Sequence, residues 1–229
     1  MRAARDALGR DEALDWDEGQ TYARGMASSP LPSARKPDAL EELRRERGEG
    51  WQWHRIQFEP CPQCGYHPAA LPPDSLGRVA VELAASWREF LVQADDAYLR
   101  TSPEPGVFSP IQYAAHARDI VRVYGERMVL GLEQDSPTVP IFNPPQEVFE
   151  GYNRLDPVEL ATDIEAQARR LDETVERMDP SAWSRIVIND RGIYGVYTFT
   201  LAGLACNAVH EAHHHLLDAK GTLNLNTSS

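Results

Sequence analysis

The sequence predicts an all-α protein, a four-helix bundle with one long crossover, preceded by an N-terminal extension that contains a CxxC turn. Three observations carry this prediction. Four segments place apolar residues at i, i+3, i+4 spacing, the pattern of a helix with one buried face. Capping residues and first-turn prolines mark where helices open. The stretch SPTVPIFNPP, with four prolines, separates the second helix from the third and forbids helix between them.

The first helix starts at Asp74 or Ser75, either of which suits a cap, and carries Leu76, Val79, Ala80, Leu83, Trp87, Phe90, Leu91, Ala94 and Tyr98 on one stripe. TSPEPG ends it. The second opens at Ser109 with Pro110 in its first position. Its inward stripe is Tyr113, His116, Ile120, Val123 and Arg127, with Tyr124 and Leu130 alongside. The third, LDPVELATDIEAQARRLDETVERMD, is capped by Asp156 and buries Leu160, Ile164, Ala168, Leu171, Val175 and Met178. WSRIVINDRGIYGVYTFT is rich in β-branched and aromatic residues around an NDRG turn, and reads as a small hairpin. The fourth helix starts near Thr198 or Thr200 and runs to Lys220, with Gly221 at its C-cap.

Ahead of this bundle (74–221) lie two other segments. Residues 1–50 are charged, mixed in sign and poor in large apolar residues, a flexible extension with a short solvated helix and a second candidate start at Met26. Residues 51–73 form an aromatic lead-in that holds Cys61, Cys64, His54 and His67.

The net charge of −12 and a pI near 5.0 argue against nucleic acid or an acidic membrane as partner. No apolar run is long enough to span a membrane, and the first residues lack the apolar core of a signal peptide. With an odd number of cysteines, three, the expectation is a cytoplasmic protein without a disulfide framework.

HEAHHHLLDAKG, residues 210–221, gathers four of the seven histidines. His210 and His214 are four apart, so a helix stacks them on one face, close enough to share an ion. HEAHH also fits the HExxH pattern, with Glu211 as base, but too few residues follow to supply that pattern's third ligand. His116, on the inward stripe of the second helix, is the better partner. Three histidines leave one position of a zinc ion open, as reactive zinc sites do. His213 flanks the face as an alternative or supporting group, and His215, turned by about 100°, packs or meets solvent. Asp218 is placed to ligate or to hold an imidazole N–H. CPQCG presents two thiolates at a turn, half of a structural zinc site, with His67 a nearby addition. Tyr113, Arg127, Tyr152 and Asn153 are candidates to line a pocket.

Three stretches, CPQCGYHP, PGVFSPIQYAAHARDI and YTFTLAGLACNAVHEAHHHLLDA, resemble the DinB-like (DinB/YfiT) superfamily, in particular its actinobacterial members. Together they frame residues 60–220. The resemblance implies a four-helix bundle with a long crossover and a divalent metal (zinc first, nickel, iron or manganese as alternatives) held by His116, His210 and His214. It also implies possible homodimers. Some relatives transfer a low-molecular-weight thiol such as mycothiol to a small electrophile, which makes thiol transfer the first functional expectation. A metal-dependent hydrolase and a non-enzymatic, metal-stabilised stress-response or binding module are the alternatives. Glu211 stands where relatives often have Asp, and the NPPQE loop is less acidic than theirs; both leave the substrate open.

Overall fold

The computed structural model describes residues 54–191 and 195–221. The N-terminal extension, the start of the lead-in and the tip of the predicted hairpin turn lie outside them. Among the described residues six α-helices follow in order: α1 (Leu76–Gln93), α2 (Asp96–Arg100), α3 (Pro110–Glu133), α4 (Gln146–Tyr152), α5 (Pro157–Glu176) and α6 (Leu201–Ala219).

The four long helices, α1, α3, α5 and α6, form the bundle. α1 packs against α5 and α6, and α3 packs against the same two, so α1 and α3 face each other across the core. Their stripes are buried as the periodicity requires: Leu76, Trp87, Ile111, Leu160, Leu171, Leu201 and Leu204 are almost fully enclosed. The predicted starts recur in the helix caps. Gln112 Oε1 accepts the Ser109 amide at the head of α3 (2.9 Å). Asp156 accepts the Val158 and Glu159 amides at the head of α5. Thr200 accepts the Gly203 amide at the head of α6.

Two details differ from expectation. The first helix stops at Gln93 instead of reaching Tyr98, because Asp95 accepts the Ala97 and Tyr98 amides and nucleates the separate α2. The bundle also carries a small sheet, an addition to an otherwise helical fold. The expected hairpin is there as β2 (Ile186–Asp190) and β3 (Val196–Thr200), antiparallel with Val187 opposite Phe199. The proline-rich crossover adds β1 (Thr138–Pro140), parallel to β2, and its proline sits at the sheet edge where a missing N–H costs least. Arg127 Nη2 donates to the Pro140 carbonyl (2.6 Å), tying β1 to α3.

β3 runs directly into α6, and the lead-in packs on that junction. Gln57 donates to the Thr198 carbonyl and accepts from the Thr200 amide. Its side chain occupies the space that a Cβ at Gly203 would need. The chain then turns at Cys61–Gly65: the Cys61 amide bonds the Tyr66 carbonyl (2.8 Å), the Gly65 amide bonds the Cys61 carbonyl (2.9 Å), and Gly65 takes φ +72°. Tyr66, wholly buried, pins this turn against α6. Among the described residues no helix is long and apolar enough to cross a membrane.

Candidate metal centres

The middle of α6 is enclosed on nearly every side, because α1, α3 and the lead-in all cover it. His210, Glu211 and His213 are only 4%, 4% and 6% exposed. Polar groups this deep need partners. Two i, i+4 pairs overlap here, His210 with His214 and Glu211 with His215, offset by one residue and therefore by about 100° around the helix. Each pair faces a different neighbour.

His210 and His214 face the lead-in turn. The Cys61 and Cys64 sulfurs and one nitrogen from each histidine lie within 4.8 Å of one another. Cys61 Sγ is 3.7 Å from His214 Nδ1. His210 Nδ1 is 3.1 Å from Glu211 Oε1, while its Nε2 is buried with no hydrogen-bond partner. The Cys64 thiol hydrogen-bonds the Cys61 sulfur, and with help from His210 and His214 this outweighs burial and holds Cys61 well below the usual thiol range. The same shared proton, together with burial, pushes Cys64 up. Burial opposes a charge on His210, but Cys61 and Glu211 overcome it and lift the ring to about 9.

Glu211 and His215 face α3. A nitrogen of His116, a carboxylate oxygen of Glu211 and a nitrogen of His215 lie within 4.8 Å of one another. His215 sits between two carboxylates, Nδ1 2.8 Å from Asp218 Oδ2 and Nε2 3.3 Å from Glu211 Oε2. Burial lowers its affinity for a proton, yet these carboxylates raise it to about 9. His116 has the opposite balance: burial, then the neighbouring His215 charge, depress it to about 4, so its ring is neutral. Its Nδ1 is buried without a hydrogen-bond partner. Phe108, Phe142 and Phe149 surround the His116 ring, and Tyr113 stacks on His215 at 5.3 Å between centroids. Glu211 therefore touches both clusters, one oxygen toward His210 and the other toward His215.

The trio His116, His210 and His214 is thus divided: His116 stands in one cluster, His210 and His214 in the other. His215, which the spacing leaves to packing or solvent, is instead part of the α3-facing cluster. His213 lies against the Cys64 backbone, is depressed to about 4 by burial, and keeps a buried, unpartnered Nε2. His67 is elsewhere, its Nδ1 accepting the Ala69 amide at a short helical turn. Asp218 supports both clusters, adding a 3.6 Å contact to His214 Nε2. Tyr152 donates to Asp119, and Asn153 engages Ser109 and Arg100, so this pair fastens α4 to its surroundings. Arg127 lines a small recess with Tyr124, Phe142 and Asn189. The overlap of HxxxH with ExxxH in one hexapeptide is the sequence feature that separates the two clusters.

A family model described as the DinB superfamily matches residues 81–218. The fold is similar to that of YfiT from Bacillus subtilis, described as a probable metal-dependent hydrolase with an unusual four-helix bundle topology. The TM-score is 0.56 at 18% identity, over 66% of this chain and 85% of that one. No curated protein matches.

Proposed function

Because the chain belongs to the DinB superfamily, whose model runs from the first long helix to the last, we propose that it is a metal-dependent enzyme. Its reactive ion is held by His116, Glu211 and His215, and its substrate is a small molecule. The observation that carries this reading is the clustering of one His116 nitrogen with a Glu211 carboxylate oxygen and a His215 nitrogen, all within 4.8 Å, in a ring whose Nδ1 is buried without a hydrogen-bond partner. An isolated core histidine finds a hydrogen bond; this one meets donor atoms suited to zinc. Two imidazoles and one carboxylate are the protein ligands of hydrolytic zinc sites, and they leave a position for substrate. An ion there supplies Lewis-acid activation of a nucleophile at neutral pH.

The remaining roles belong to the chain itself. Asp218 takes the Nδ1 side of His215, which leaves Nε2 for the centre. Phe108, Phe142 and Phe149 wall off bulk water around His116 and strengthen every charge interaction inside. Tyr113, raised by burial and then by Asp218 to about 12, stays protonated beside His215 as a hydrogen-bond donor for substrate. The similarity to YfiT supports water as the nucleophile. A low-molecular-weight thiol such as mycothiol is the competing nucleophile for the same site.

The test is an assay of metal-loaded protein on activated esters, amides and lactones, with a parallel panel of electrophiles plus mycothiol. Hydrolysis that needs the metal and falls about 10²-fold or more in a folded His116→Ala variant is expected, the scale of losing one electrostatic stabiliser. Conjugation without hydrolysis would assign thiol transfer instead. Metal binding without turnover on either panel would leave a binding module.

A further inference from the structure

We propose that Cys61, Cys64, His210 and His214 hold a second, structural zinc ion that clasps the lead-in turn onto α6. The donor set comes first. Two thiolates and two imidazoles fill a tetrahedral zinc completely, the composition of sites that hold structure and leave no position for substrate. With bond lengths of about 2.0–2.3 Å such an ion sets its donors roughly 3.3–3.8 Å apart. Cys61 Sγ and His214 Nδ1 are at 3.7 Å, and all four donors lie within 4.8 Å of one another.

The surroundings fit independently. His210 spends Nδ1 on Glu211 and leaves Nε2 buried and unpartnered, in a residue only 4% exposed. His214 offers Nδ1 to Cys61 and turns Nε2 toward Asp218. His210 thus has a carboxylate behind it at hydrogen-bond distance, the arrangement that fixes tautomer and ring orientation in metal-ligating histidines, and His214 has one at 3.6 Å. The turn is built for the purpose: backbone N–H bonds close it, Gly65 takes the left-handed conformation, and both cysteines are buried. The cysteines also lie outside residues 81–218, so the site joins a segment the family model does not cover to the last bundle helix.

The two centres meet at Glu211. His210, when ligating through Nε2, holds the Glu211 carboxylate by its Nδ1–H, and the opposite oxygen of Glu211 lies 3.3 Å from His215. The clasp therefore positions a residue of the α3-facing cluster without contributing to it. The clasp itself does not rest on the enzymatic reading above.

The experiment uses the full chain, reduced, with metal content measured and zinc then replaced by cobalt(II). The expected result is a thiolate-to-cobalt charge-transfer absorption in the wild type. Cys61→Ser with Cys64→Ser removes that band and about one metal equivalent per chain. His116→Ala keeps the band whatever it does to turnover, so failure of the reactive centre and failure of the clasp are separable. A cobalt-loaded wild type without thiolate charge transfer would overturn the proposal, and needs no variant to fold. So would a double serine variant that binds as much metal as the wild type, or a Cys61–Cys64 disulfide in protein purified under reducing conditions.

Discussion

Glu211 is the residue on which both centres turn. A carboxylate this deeply buried is costly unless opposite charge surrounds it. His210 and His215 supply that charge and hold Glu211 well below the usual carboxylate range in spite of its burial. The proton on His215 must leave before Nε2 can ligate, whereas His116, held near 4, is already neutral. Metal affinity at the α3-facing centre should therefore rise with pH across the neutral range up to about 9 and level off above, with protons released on binding. Titrations at several pH values check this; an affinity unchanged across that window would contradict it. In metal-free protein the sign reverses. The raised His215 contributes stability that is complete below its unfolded value of about 6.5 and is lost as pH rises through 9. Asp218, which steadies His215 and faces His214, should matter through orientation. Asp218→Asn should weaken metal binding by about 10–100-fold with the fold retained.

At the scale of elements, α6 is the scaffold that turns its two overlapping pairs toward two different neighbours. Its burial comes from α1 and α3 on two sides and from the lead-in on a third. Trp87 Nε1 donates to the Ala212 carbonyl (3.0 Å), fixing α1 against the turn of α6 between the two clusters. Trp87→Phe should cost about 1–2 kcal/mol in chemical denaturation, the loss of a buried hydrogen bond plus a small void. Leu171→Ala, at an almost fully enclosed position of α5, should cost about 2–5 kcal/mol. The helices themselves were legible in the sequence because burial leaves a periodic record, and Ser109, Asp156 and Thr200 mark their starts. The sites were less so. Periodicity places His210 and His214 on one face but does not say which neighbour that face meets. On a helix buried all round, a step of one residue selects a different partner. His116 reads as the companion of His210 and His214, while packing brings it to Glu211 and His215. β1 was hidden for a similar reason: Thr138–Pro140 is a strand only because β2 lies beside it.

At the scale of the whole molecule, two segments distant in the chain are joined at α6. The lead-in contributes Cys61 and Cys64 and reaches α6 from one side; α3 contributes His116 from the other. A CxxC turn is half a site on any local reading, and its other half, an HxxxH pair, lies at the far end of the chain, well beyond the spacing of a zinc finger. Only the closed bundle brings the halves together. The bundle in turn gains a clamp on its last helix, so metal removal should lower the unfolding temperature by an amount that grows with the free metal restored, as linkage requires. On this proposal the two overlapping pairs of α6 serve two different ions. The most direct measurement is an anomalous difference map of zinc-loaded crystals at the zinc edge. Two peaks are expected, one bounded by Cys61, Cys64, His210 and His214, the other by His116, Glu211 and His215. A single peak ligated jointly by His116, His210 and His214 would contradict it.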